Sequence, residues 1–161
     1  MTSITTNKEI KIAYQEFESL NELNQEDRLL AEAAIDATSR SYAPYSNFNV
    51  GAAIMYEDGE IIQGSNQENA AYPSGLCAER TALFYAGSRR PETPIISLAI
   101  AAAQNGTLCS IPATPCGACR QVMAQYQIKG GKPMTVLLVG GEKIWKFASV
   151  DDLLPLTFNS I

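Results

Sequence analysis

The sequence predicts an α/β fold of three layers, α/β/α, around a mixed five-stranded sheet. Three observations carry that expectation. A strand–turn–strand pattern occupies residues 48–64. Helical and extended segments then alternate as helix, strand, helix, strand. One of those strands, Ile95 to Ala103, is apolar on both faces, as a central strand covered on both sides must be.

The elements follow in order. Ile10, Ile12 and Tyr14 alternate with polar or small residues, a period of two that predicts a short strand. From Asn24 to Arg40 the period becomes helical, with Leu29, Leu30, Ala33, Ala34 and Ala37 as the apolar stripe, and Pro44 closes the segment. Phe48 to Tyr56 and Glu60 to Gly64 are strands joined by the turn Glu57-Asp58-Gly59. Pro73 and Gly75 mark a loop, and Cys77 to Ala86 is helical. After the central strand, Gln104 to Thr114 is a loop. Pro115 suits the start of a helix over Cys116 to Tyr126. Met134 to Val139 is a strand, Gly140-Gly141 a turn and Lys143 to Ala148 a last strand, before Ser149 caps a helical turn. Residues 1–23 are expected to be an extension, and 24–161 the single domain.

Composition narrows the function. The 161 residues are 46% hydrophobic and 18% charged, a balance that supports a packed core and excludes a disordered chain. Seventeen acids against twelve bases leave a net charge of -5, unsuited to nucleic acid or an anionic membrane. Arg89 and Arg90 are the only adjacent bases. Met1 to Asn7 lacks an apolar signal core and no run is long enough to span a membrane, so a soluble, cytoplasmic protein is expected. There is no histidine. That excludes histidine-based triads, histidine metal ligands and a histidine general base, leaving proton transfer to a carboxylate, Lys, Tyr or Cys.

Two segments carry chemistry: Cys77-Ala78-Glu79 and Pro115-Cys116-Gly117-Ala118-Cys119. Each opens a predicted helix, where unpaired N–H groups and the helix dipole stabilise thiolates. Cys116 and Cys119, at i and i+3, share one face of a turn and can reach one cation. Cys77 from the neighbouring helix would complete a three-thiolate site, leaving the fourth position of a tetrahedral zinc ion for water. Arg80 is placed to offset the thiolate charge, and Glu79 to shuttle a proton without being a ligand. Zinc deaminases share this pattern, a His or Cys followed by x-Glu and then Pro-Cys-x-x-Cys, and the absent histidine selects its all-cysteine form.

The chain resembles the small, homotetrameric cytidine deaminases of pyrimidine salvage, from about Ser41 to Phe158. The resemblance rests on the blocks 41–48, Val50-Gly51-Ala52-Ala53, 66–73, 77–82, 115–122 and Leu153-Leu154-Pro155. It implies zinc on Cys77, Cys116 and Cys119, with Glu79 carrying protons as water attacks C4 of cytidine or deoxycytidine. It implies that Asn66 and Glu68 bind the ribose 3′-hydroxyl and that Phe48 packs near the base. The Ala78 N–H would read O2 and the Thr114 carbonyl the amino group. Tyr72 and Phe158 would reach or support a neighbouring subunit's pocket. The long segment before the first helix, the block 87–91 and the loop 104–114 depart from the family pattern.

Plainer readings stand beside these. Cys109 could complete a closed four-cysteine structural zinc site, or fill a buried gap. Glu79 could be first-turn charge, Arg80 a surface charge, Asn66 and Glu68 turn residues, and Phe48 and Tyr72 packing. Rival functions are a blasticidin-type deaminase, a polynucleotide editor, which the acidic charge and single Trp argue against, and a non-catalytic zinc module or tetrameric scaffold.

Overall fold

The structure, a computed structural model, describes residues 5–159. Residues 1–4 and 160–161 lie outside the described residues, and with them the start of the expected extension. In chain order the elements are β1 (Gln15–Phe17), α1 (Gln25–Ala37), β2 (Phe48–Tyr56), β3 (Ile61–Ser65), α2 (Ala78–Arg89), β4 (Ile95–Gln104), β5 (Thr107–Leu108), α3 (Gly117–Gly130), β6 (Thr135–Val139) and β7 (Ile144–Phe147). Short 3₁₀ turns lie at 20–22, 38–40, 72–74 and 150–152.

The sheet order is β1-β7-β6-β4-β2-β3, with β5 paired to β4. β4 runs parallel to β6, and every other pair is antiparallel. The mixed sheet is as expected, but it has seven strands rather than five. The two additions are short: β5 folds part of the expected 104–114 loop back on β4, and β1 clips onto β7.

β1 also corrects the sequence reading. The alternation at Ile10, Ile12 and Tyr14 does not become a strand, and those side chains are exposed. Pairing occurs at Gln15–Phe17, against Lys146 to Ile144, because β7 ends at Phe147 and offers nothing further back. Tyr14 still stacks on Phe147 with ring centroids 5.2 Å apart.

Alternation along the strands divides the core in two. Ile54, Leu98, Ile100, Val136 and Leu138 face α2 and α3. Ala53, Met55, Ala99, Leu137 and Val139 face α1. Helix α1 begins at Asn24, whose side chain accepts the Asp27 N–H at 2.8 Å. Its buried stripe is Leu30, Ala31, Ala34 and Ala37, whereas Leu29 is exposed, so the helix is rotated slightly from the expected face. The hairpin is gripped from both sides at two glycines. A Cβ on Gly51 would lie 2.1 Å from the Ala34 carbonyl oxygen, and one on Gly64 would lie 2.5 Å from the Ala82 nitrogen. The backbones of α1 and α2 therefore rest directly on β2 and β3, which fixes where α2 begins.

Candidate active site

Cys77 and Cys116 occupy the same position in two helices. Each is the N-cap, extended at φ -70°, ψ 154° and φ -69°, ψ 166°, and neither sulfur is used to cap its own helix. Cys119 lies in the first turn of α3, on the buried stripe it shares with Met123, Ala124 and Gln127. The three sulfurs all lie within 4.8 Å of one another. Tetrahedral zinc with bonds of about 2.3 Å would need sulfurs roughly 3.8 Å apart, so the set fits one such ion with small side-chain adjustment. Cys109 is not in the cluster; it follows β5, its N–H donating to the Ala102 carbonyl. Among the described residues the site is one of three cysteines, against the closed four-cysteine alternative.

Glu79 is buried because α2 turns the stripe Ala78, Glu79, Ala82, Leu83 and Ala86 inward. It is 4% exposed, and burial holds its proton affinity above that of an ordinary carboxyl, with the neighbouring Cys77 charge adding to the effect. Cys77 moves the other way, to about 5, through a hydrogen bond from Cys119 and then the Arg80 guanidinium, against the opposing cost of burial. Cys119 is pushed up because it donates to Cys77 and is buried. Arg80 Nη2 lies 3.4 Å from the Cys77 sulfur, and its buried Nε has no partner among the described residues.

A cleft of about 420 Å³ opens beside Cys77 and Arg80, with Asn66, Glu68, Tyr72 and Tyr45 on its walls. That volume is within the usual range for small-molecule sites, roughly 300–1,000 Å³. Asn66 is braced at both ends: Oδ1 accepts the Val50 N–H at 2.8 Å and Nδ2 donates to the Phe48 carbonyl at 2.9 Å. Tyr72 is 76% exposed and meets Tyr45 edge to face. The first-turn N–H of Ala78 has no helical acceptor. Phe48 and Thr114 are not among the residues lining this cleft. Phe158 is also outside it, 68% exposed, its carbonyl accepting from Gln121 on α3 at 2.7 Å.

Two residues near the site carry no role that the sequence assigns. Arg120 donates from Nε to the Pro115 carbonyl at 2.9 Å and from Nη1 to the Leu153 carbonyl at 2.8 Å, tying the Cys116 loop to the C-terminal segment. Ser46 holds the Glu68 carboxylate. Both act across the chain, and no local spacing signals such contacts.

A model of the cytidine and deoxycytidylate deaminase zinc-binding region matches residues 24–131. The chain belongs to this family. It is a zinc-dependent deaminase, and zinc is its cofactor. Among relatives of the deaminase, a cytidine deaminase of Halalkalibacterium halodurans is 46% identical over 100 residues, 61% of this chain and 70% of that one. Another, of Sporosarcina psychrophila, is 41% identical over 133 residues, 83% and 90% of the two chains. The crystal structure of a cytidine deaminase from Burkholderia pseudomallei superposes with a TM-score of 0.68 at 41% identity, covering 81% of this chain and 97% of that one. The enzyme from Mycobacterium tuberculosis gives 0.66 at 30% identity, covering 85% and 100%. No described helix of the deaminase is long and apolar enough to cross a membrane.

Proposed function

We propose that the chain hydrolyses the exocyclic amine of cytidine and deoxycytidine, as a cytoplasmic homotetramer in pyrimidine salvage. The products are uridine or deoxyuridine and ammonia. One observation carries the reading: Glu79 is a buried carboxyl beside Cys77 and Cys119 but outside the three-sulfur set. The names of the relatives, cytidine deaminases, support the substrate class.

Zinc held by Cys77, Cys116 and Cys119 supplies Lewis acidity that makes water nucleophilic near neutral pH. Glu79 carries the protons. It takes one from water as the oxygen bonds to C4 of the pyrimidine, and passes it to N3. It takes the second water proton and delivers it to the amine; the C4–N bond breaks and ammonia leaves. The oxygen stays as the C4 carbonyl and N3 keeps its proton. A carboxyl with raised proton affinity suits this relay, since it must hold a proton between the two transfers. Arg80 tempers the thiolate charge through Cys77.

The remaining roles belong to the same reading. Asn66 and Glu68 take the 3′-hydroxyl, Phe48 packs near the base, the Ala78 N–H reads O2 and the Thr114 carbonyl reads the amine. Tyr72 and Phe158 serve a neighbouring subunit's pocket, and their exposure supports this. Charge favours a neutral nucleoside over a nucleotide. Arg80 is the only cation on the cleft wall among the described residues and is committed to Cys77, while Glu68 adds negative charge. A polynucleotide is disfavoured too, because Arg89 and Arg90 are paired with Glu60 and Asp58.

The test is ammonia release from cytidine, deoxycytidine, cytosine, adenosine and blasticidin S, with zinc content measured, in wild type and Glu79→Gln. Turnover of the two cytosine nucleosides, lost in the variant with zinc retained, is expected. Zinc-loaded protein inert on every compound would overturn the reading, and preference for blasticidin S would reassign the substrate.

A further inference from the structure

The turn before β2 closes on Glu68 through three donors. The N–H groups of Tyr45 and Ser46 reach Glu68 Oε2 at 2.9 and 3.2 Å, and the Ser46 hydroxyl bonds Oε1. The direction of that last bond follows from its acceptor: an ionised carboxylate only accepts, so the Ser46 hydroxyl donates to Glu68, while Ser46 Oγ itself accepts the Phe48 N–H at 3.1 Å. The turn is tied independently of the carboxylate. Asn47 N–H donates to the Ala43 carbonyl at 3.0 Å, and the Tyr42 backbone bonds the backbones of Asn66 and Glu68 at 3.0 and 2.8 Å.

A free glutamate side chain on a cleft wall would sample many rotamers and could present either oxygen. This one has Oε2 occupied by two N–H groups. Oε1 keeps capacity for another donor, because the Ser46 hydroxyl uses only one of its acceptor sites, and Glu68 lines the cleft. We infer that Ser46 is a positioning residue for sugar recognition: its hydroxyl holds Glu68 as an oriented acceptor for a substrate hydroxyl, and through Phe48 it ties that acceptor to the start of β2. The same bonds keep the Glu68 carboxyl below the usual carboxylate range, the Ser46 hydroxyl contributing most. A carboxylate held ionised accepts and does not donate, so it rewards a ligand that brings an O–H. The inference rests on the reading that Glu68 contacts the sugar.

A double-mutant cycle tests it in the zinc-loaded full chain. Ser46→Ala, Glu68→Gln and the double variant are compared on cytidine and on 3′-deoxycytidine, with melting temperatures measured beside the kinetics. Ser46→Ala should raise KM for cytidine roughly 10-fold with kcat nearly unchanged, the effect of one hydrogen bond to a charged group. It should leave 3′-deoxycytidine unaffected and add nothing in the Glu68→Gln background, and Ser46→Thr should restore the wild-type KM. Ser46→Cys, close in shape but a weak donor, repeats the comparison if the alanine variant does not fold. Equal losses on both substrates, or additivity with Glu68→Gln, would reduce Ser46 to a scaffold residue and overturn the inference. If Glu68→Gln itself leaves the cytidine KM unchanged, the sugar-contact reading fails, and the inference with it.

Discussion

Arg80 Nη2 and the Cys77 sulfur lie 3.4 Å apart, a cation set against a helix N-cap thiolate. Cys77 thus has two sources of positive potential, the α2 N-terminus and the guanidinium. Arg80→Gln removes the guanidinium and should raise the Cys77 thiol from about 5. Metal affinity should fall by roughly 10–100-fold, as it does when partners of metal ligands are lost. Competition with a chromophoric chelator measures it; unchanged affinity would show that the helix terminus suffices.

Gly64→Ala places a methyl where the α2 backbone rests on β3, 2.5 Å from the Ala82 nitrogen. The obstacle is backbone, so the helix must move. Overpacking of this kind costs about 1–3 kcal/mol. Because Cys77 and Glu79 ride on the same helix, zinc retention and turnover should fall together with the melting temperature. A loss of stability with unaltered kinetics would mean that α2 shifts without disturbing its first turn.

Gln127 is a buried junction of α3, β6 and the C-terminal turn. Its Oε1 accepts from Met134 N–H at 2.9 Å, Val150 N–H at 3.0 Å and Ser149 Oγ at 3.1 Å, and Nε2 donates to Asp151 at 3.0 Å. Gln127→Leu keeps the volume and leaves two backbone donors without an acceptor, about 1–3 kcal/mol each. The urea midpoint should drop with no change in the slope of the transition. An unaltered midpoint would show that water replaces the amide.

The sole tryptophan reports on β1. Trp145 Nε1 donates to Glu16 Oε2 at 2.8 Å, and Lys143 pairs with Oε1 at 2.8 Å. These bonds, that from Lys143 first, hold the Glu16 carboxyl below its ordinary 4.5. A depressed folded-state value means the pairing contributes fully above about pH 4.5 and is lost as pH falls through the lower, folded-state value. Trp145 emission should be flat from pH 7 to about 5 and change below that. Glu16→Gln should abolish the change. A transition that persists in the variant would assign it to acid unfolding of the whole domain.

Much of this architecture is legible in the sequence because the signals are local. The residues around Cys77 and Cys116 place both at helix starts, and the i, i+3 spacing puts Cys119 beside Cys116. The double apolarity of Ile95 to Ala103 marks the central strand, which has α1 on one face and α2 and α3 on the other. What the sequence does not show depends on remote partners. Ile10 and Ile12 have strand periodicity but no strand opposite, whereas Gln15 to Phe17 pair with residues near the other end of the chain. Leu29 and Ala31 exchange sides because the close approach at Gly51 sets the roll of α1, which periodicity alone does not fix. Ser46 with Glu68 and Arg120 with Leu153 meet only after folding.

The three sulfurs come from two helix starts about forty residues apart, with α2, β4 and β5 in the chain between them. An ion held by all of them is therefore a removable cross-link closing a long loop. Because such an ion favours the folded over the unfolded chain, its free concentration shifts the folding equilibrium by mass action. A cell short of the metal would then lose enzyme molecules to unfolding and proteolysis as well as activity per molecule. Thermal shift against buffered zinc would trace that dependence, rising with the logarithm of the free ion once the site begins to fill.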